Sequence, residues 1–288
     1  MDTLIKNYPK ISIVTPSFNQ GAFIEETILS VLNQNYPNLE YIIIDGGSTD
    51  NSVEIIKKYE HKLTYWISEK DSGQSQAINK GFAKCTGEII GWLNSDDVLV
   101  DNALKNVAKC FVANKIQILV GGSQHWEPKS KVFIPHTTNP ETYFDLLKYN
   151  KTICLAQPSV FYTRNLLLSC GGYLNEKLHY TMDLDLWFRF GIFEGINKKI
   201  FFLNEPISLM RIQSNQKTTS MNYKAMKEAA KVVLYYSKKY NIRFIDRLTL
   251  FFRYRSFRYS LVSELWDRLK FLDIIGYRAV SKLFSFTK

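Results

Sequence analysis

The sequence predicts an α/β protein built on a mostly parallel, doubly wound sheet. Three observations carry this expectation. Short β-rich runs alternate with stretches of helical spacing through roughly the first 100 residues. A polar loop follows each run. The chemically suggestive residues, Pro16 to Asn19, Asp45, Glu69 to Gly73, Asp96 and Asp97, sit in those loops, which in an open α/β sheet lie together at the carboxyl edge, where such sheets bind ligands.

Each element has a local reason. Residues 11–15 form a β-rich run stopped by Pro16, and polar residues follow to Gly21. Residues 22–34 then carry Ile24, Ile28, Val31 and Leu32 at helical spacing. Residues 41–44 read as a buried strand ended by Asp45-Gly46-Gly47-Ser48-Thr49-Asp50, in which Ser48 or Asp50 is suited to cap a helix over 52–59. A third strand is expected over 63–67, a helix over 75–85 and a fourth strand over 88–93. The stretch from 116 to 214 is less regular, with strands expected at 116–120 and 159–162 and helices at 144–149, 165–170 and 183–193. From Tyr223 onward the chain reads as helical.

Composition narrows the function. The chain has 288 residues, 45% hydrophobic and 22% charged, enough for one large domain with an appendage. Residues 240–288 hold ten Lys/Arg against four Asp/Glu, so this tail supplies +6 of the net charge of +10. The basic character belongs largely to the tail, and no nucleic-acid partner is needed to explain it. Cys85, Cys110, Cys154 and Cys170 lack metal-ligand spacing and suggest free thiols in a reducing compartment. The first ten residues are polar, and no apolar run reaches the roughly 18–20 residues of a membrane span, so a cytoplasmic location is expected.

The loops hold the candidate chemistry. Asn94-Ser95-Asp96-Asp97 follows the apolar run 89–93. Two adjacent carboxylates at a strand's end repel each other and resist burial, and a hard divalent cation holding phosphate oxygens would compensate. A helix cap near Asn102 is the plainer alternative, but a cap needs one Asp. Thr15-Pro16-Ser17-Phe18-Asn19 offers backbone groups and a flat ring. Asp45 can accept a hydrogen bond from a base or ribose, yet the first turn lacks the Gly-x-Gly-x-x-Gly of dinucleotide-binding proteins. Glu69 and Asp71 lie in a charged loop after the third strand. Asp183 and Asp185 open a helix with Leu186-Trp187; they either satisfy the helix dipole or include a general base.

In order and spacing, several segments resemble family 2 glycosyltransferases from about residue 10 to about residue 220. They are Thr15 to Asn19, Asp45 to Asp50, Glu69-x-Asp71-x-Gly73, Asn79-Lys80-Gly81, Asn94 to Asp97, Gln157-Pro158-Ser159, Gly171-Gly172-Tyr173-x-Asn175-Glu176 and Met182 to Trp187. The resemblance implies a GT-A fold and inverting transfer of a sugar from a nucleotide diphosphate sugar, by default a UDP-sugar. It implies donor contacts from Thr15, Pro16, Phe18, Asn19, Asp45, Asp71, Lys80, Asn94, Asp96 and Arg211. It also implies Mg²⁺ or Mn²⁺ at Asp97 and a base at Asp183, with Asp185 in reserve.

The chain departs from the family at Met182, where a Glu usually precedes the base, and at Gln213, where a His is common; Arg211 and Lys217 are the expected compensation. The expected division is a transferase domain over 1–222, with a nucleotide-sugar half to about 115 and an acceptor half after it, followed by a basic aromatic tail over 223–288. The acceptor is expected to be a glycan or a lipid-linked molecule used in cell-surface polysaccharide synthesis. The tail either lies on an anionic membrane surface or packs on the domain. The alternative from a different class is a catalytically silent module that binds nucleotide sugar or membrane.

Overall fold

The computed structural model describes residues 7–127, 132–136, 155–191, 200–212 and 223–239. The chain divides into two compact units, Met1–Ser220 and Met221–Lys288, each taken here by itself. The first unit is a nine-stranded sheet flanked by helices. Its elements begin with β1 (Ile11–Ser17), α1 (Ile24–Leu32), β2 (Leu39–Asp45), α2 (Ser52–Tyr59), β3 (Tyr65–Ser68), α3 (Gln74–Phe82) and β4 (Ile89–Trp92). There follow β5 (Val98–Leu99), α4 (Ala103–Asn114), β6 (Ile118–Glu127), β7 (Val132–His136), β8 (Val160–Thr163), α5 (Arg164–Ser169), α6 (Met182–Arg189) and β9 (Ile200–Arg211).

The order across the sheet is β3-β2-β1-β4-β8-β6-β9-β5, with β7 paired on β6. The first four strands are all parallel, as the alternation of strand and helix requires. The loops after β1, β2, β3 and β4 therefore share one edge. Beyond β4 the sheet becomes mixed: β8 runs antiparallel to β4 and β6, β9 returns parallel to β6, and β5 closes antiparallel on β9. The irregular middle of the sequence did not announce this mixed extension, in which the β6–β9 pair is again parallel.

Strand periodicity divides the core. Ile11 and Ile13 of β1, with Tyr41 and Ile43 of β2, pack with Ile24, Ile28, Val31, Ile56, Leu104 and Val107 from α1, α2 and α4. Helix α3 lies against β1 and β2. Its approach is close because residue 81 is Gly: a Cβ there would sit 2.3 Å from Val14 Cγ1. Around Trp92 of β4 an aromatic cluster gathers Phe82, Tyr162, Trp187 and Phe190, with Trp92 and Trp187 stacked at 5.8 Å. Burying these rings anchors α6 to the sheet.

The helix expected at 144–149 lies outside the described residues, and so does the end of the one expected at 183–193. In the second unit, α7 (Tyr223–Lys239) is one helix. Its buried residues Ala229, Val232, Val233 and Tyr236 fall at amphipathic spacing, while Lys224, Lys227, Lys231 and Lys238 are exposed. Residues 240–288 lie outside the described residues. Among the described residues no helix is long and apolar enough to cross a membrane.

Candidate active site

The loop after β1 is stapled to the loop after β2. The Asn19 backbone N–H donates to Ser48 Oγ at 2.8 Å, and Asn19 Oδ1 accepts from the Thr49 N–H at 2.9 Å. The Gln20 N–H donates to Ser52 Oγ, and the Gly21 N–H to Asp50 Oδ2 at 2.8 Å. Asn19 adopts φ 52°, the left-handed turn that Asn tolerates best after Gly. These contacts make Asn19 part of the joint between the two loops.

Thr15 and Asp45 also bond within the protein. Thr15 is fully buried, and its Oγ1 lies 3.1 Å from the Tyr41 hydroxyl, inside the core. Pro16 is also buried, and its missing N–H costs no ladder bond because pairing of β1 with β4 ends at Val14. Asp45 is fully buried and accepts from the Gly47 and Ser48 N–H groups and from the Ser48 and Ser68 hydroxyls. A carboxylate with four protein donors shapes the β2 loop and has little left for a ligand.

Three groups remain presented at this edge. Phe18 is 58% exposed, a flat apolar surface at the end of β1. Asp71 is partly buried; its Oδ1 accepts from the Gly73 N–H at 2.8 Å, while its Oδ2 lies against Gly46, where a Cβ would come within 2.6 Å of it. Asp96 is partly buried at the end of β4. Lys80 is ion-paired with Glu69 at 2.7 Å, so its charge is matched within the protein.

Asp97 is 5% exposed. Asn94 Nδ2 donates to its Oδ2 at 3.2 Å and the Arg211 backbone N–H to its Oδ1 at 3.3 Å. Burial, together with the charge of Asp96, pushes its carboxyl well above the usual carboxylate range despite these donors. A carboxylate so placed fits a divalent cation, which would reverse both penalties. Among the described residues no cluster of three His, Cys, Asp or Glu forms a ready-made cage.

Arg211 is buried and ion-pairs with Glu26. Its Nε donates to the Asp96 carbonyl at 3.1 Å, and its guanidinium lies over the Trp126 ring at 4.4 Å. It braces the Asp96-Asp97 turn through its backbone N–H and its Nε. Gln213 and Lys217 lie outside the described residues.

On α6 the two acids separate. Asp185 is 8% exposed and pairs with Arg189 at 2.9 Å. Arg189 in turn donates to the Cys170 and Tyr173 carbonyls, both at 2.7 Å. Asp185 is thus linked through Arg189 to the Gly171-Gly172-Tyr173 turn. Asp183 is partly buried on the first turn, and its Oδ1 accepts from the Leu184 N–H at 2.7 Å.

Sequence reasoning gave no role to two amides that join the β4 loop to its surroundings. Gln74 Nε2 donates to Asn94 Oδ1 at 2.8 Å, and Gln157 Oε1 accepts from Asn94 Nδ2 at 3.2 Å. Gln74 also lines, with Ser72, Gln76, Glu176, His179 and Met182, a polar pocket that reaches the residue before Asp183. No local pattern marks these partners, because each contact spans at least 20 residues. Gln157-Pro158-Ser159 stood in the resemblance as a motif, which was the one available signal.

Residues 12–168 match the family model described as glycosyl transferase family 2. An uncharacterised glycosyltransferase of Rickettsia typhi is 26% identical over 277 residues, covering 90% of this chain and 86% of that protein. Glycosyltransferase GlyA of Streptococcus pneumoniae is 24% identical over 203 residues, covering 69% of this chain but only 29% of its own length. Among solved structures, S. aureus TarS 1–349 in complex with UDP matches with a TM-score of 0.63 at 18% identity, covering 87% of this chain and 72% of that one. Mannosyltransferase PcManGT from Pyrobaculum calidifontis, in complex with GDP-Man and Mn²⁺, matches with a TM-score of 0.55 at 16% identity over 81% of this chain and 64% of that one. A longer TarS structure is covered over only 39% of its length. These likenesses establish the GT-A fold.

Proposed function

This chain belongs to glycosyl transferase family 2, and from that premise we propose that it moves a sugar from a nucleotide diphosphate sugar to an acceptor hydroxyl with inversion at the anomeric carbon. The observation that carries the proposal is the placement of Gln74. Its amide is bonded to Asn94 beside Asp97, and it lines the pocket that ends at Met182 beside Asp183. Through Gln74 the pocket is linked by hydrogen bonds to Asn94 and Asp97, and through Met182 it adjoins Asp183 in the chain.

The roles follow from the chemistry. Phe18 offers a face on which a nucleobase stacks, Asp71 an acceptor for its N–H groups, and Asp96 an acceptor for ribose hydroxyls. Asp97 would hold Mg²⁺ or Mn²⁺ with the two phosphates, and the bound ion would supply Lewis-acid stabilisation of charge on the departing diphosphate. Asp183 takes the proton of the acceptor hydroxyl as that oxygen attacks the anomeric carbon from the face opposite the leaving group. No enzyme nucleophile is required. The polar lining of the pocket suits sugar hydroxyls.

A UDP-sugar is the donor we favour, in line with TarS, which was solved with UDP-GlcNAc. The acceptor we favour is a glycan or lipid-linked hydroxyl in cell-surface polysaccharide synthesis. The tail 240–288 would then rest on the inner face of an anionic membrane, and deleting it should abolish binding to anionic liposomes. A thermal-shift screen of UDP-, GDP- and dTDP-sugars with Mn²⁺ tests the donor. Stabilisation by a UDP-sugar that disappears on chelation supports it, and no response to any nucleotide sugar contradicts it.

A further inference from the structure

We infer that Gln157 is a positioning residue for Asp97, acting through Asn94; the inference rests on the proposed role of Asp97 at the donor diphosphate. Trp92 ends β4, and the β4 ladder with β8 covers only Ile89 and Ile90. The Trp92 carbonyl lies past the end of that ladder and is taken up by Gln157 Nε2 at 2.8 Å. A carbonyl can only accept, so the NH₂ end of the Gln157 amide is fixed towards Trp92 and its oxygen towards Asn94.

Asn94 is then determined as well. Its Nδ2 faces two acceptors, Gln157 Oε1 and Asp97 Oδ2, each at 3.2 Å. The two hydrogens of that NH₂ group serve one acceptor each, and the Asn94 oxygen is left to receive Gln74 Nε2 at 2.8 Å. The polarity of three amides is thus set from one backbone carbonyl and one carboxylate. Without Gln157, one hydrogen of the Asn94 NH₂ group loses its acceptor, and Asp97 alone is left to hold that end of the amide. With it, Asp97 Oδ2 is oriented by Asn94 and Oδ1 by the Arg211 N–H before any ligand arrives. Outer partners of this kind commonly tune metal affinity about 10- to 100-fold.

The test is calorimetric titration of Mn²⁺ into the full chain with UDP or GDP, whichever binds the wild type. Gln157→Met should raise the apparent Mn²⁺ dissociation constant by roughly 10- to 100-fold. In an Asn94→Ala background the same change should have no further effect, because the two residues act in series. Gln157→Ala serves as a second variant with no bulk to misplace. An unchanged Mn²⁺ affinity in both variants, or an effect that adds in full to that of Asn94→Ala, overturns the inference. Asp97→Ala separates the two levels. If it retains metal-dependent nucleotide binding, or if neither nucleotide binds the wild type, the reading of Asp97 fails and the inference with it. If Asp97→Ala loses that binding while Gln157→Met keeps it, only the inference fails.

Discussion

Asp183 and Asp185 lie two positions apart on α6, yet their surroundings give them different duties. Asp185 is tied to Arg189, whose guanidinium holds the Cys170 and Tyr173 carbonyls. Replacing Asp185 with Asn should cost about 1–3 kcal/mol of stability, the range for losing a buried charge-assisted bond, while transfer persists in the folded fraction. Chemical denaturation read beside activity checks this; lost transfer with unchanged stability would contradict it. Gly46 gives a second prediction. A Cβ there would come within 2.6 Å of Asp71 Oδ2, so Gly46→Ala must displace the carboxylate assigned to the base. Loss of one such hydrogen bond should weaken nucleotide binding roughly tenfold, measured by calorimetry, with little change in melting temperature.

At the scale of elements, the parallel half was legible because its information is local. Each strand is a short apolar run, each helix has an apolar stripe, and each turn is marked by Gly, Asp or Ser. The extension was not legible. Strand β9 contains Asn204-Glu205-Pro206, which breaks any alternation, and its pairing with β6 shifts register twice, between Gly121 and Gly122 and between Gly122 and Ser123. Gly122 permits these shifts, since a Cβ there would stand 3.0 Å from the Glu205 carbonyl oxygen. The site was legible in its loops but not in the duties within them. Thr15, Asn19, Asp45 and Arg211 belong to the motifs, and their side chains bond to protein across 26 or more residues or, for Asp45, to a closed set of nearby donors. A sequence marks such residues as special without separating scaffold from ligand contact. The staple between the first two loops is itself testable. Asp50 accepts from the Gly21 and Ser52 N–H groups and the Ser52 hydroxyl. Asp50→Ala should cost about 1–2 kcal/mol and speed amide exchange at Gly21 and Ser52. Unchanged protection at Gly21 would contradict it.

For the whole molecule, stability and chemistry use different carboxylates. Glu40, buried on β2 beside Ser12 of β1, resists ionisation through burial, but donors from Ser12, Thr86 and Lys10 outweigh that and lower its pKa to about 2. A group lowered in the folded state stabilises above its unfolded pKa and loses that contribution as pH falls towards the folded value. Glu40→Gln should therefore lower the melting temperature at neutral pH, by several degrees for a loss of about 1–3 kcal/mol. The gap to wild type should narrow as pH falls from the ordinary value of 4.5 towards 2. A gap independent of pH would contradict the assignment. The proposed chemistry falls to two other carboxylates, Asp97 in the loop after β4 and Asp183 at the start of α6. The most direct test is release of nucleoside diphosphate from a nucleotide sugar with Mn²⁺ and acceptor, comparing wild type with Asp183→Asn. The account predicts release by the wild type, a loss of about 10²- to 10⁴-fold in the variant, and nearly unchanged donor affinity. Full turnover by Asp183→Asn, or none by the wild type across donors that it binds, would contradict it.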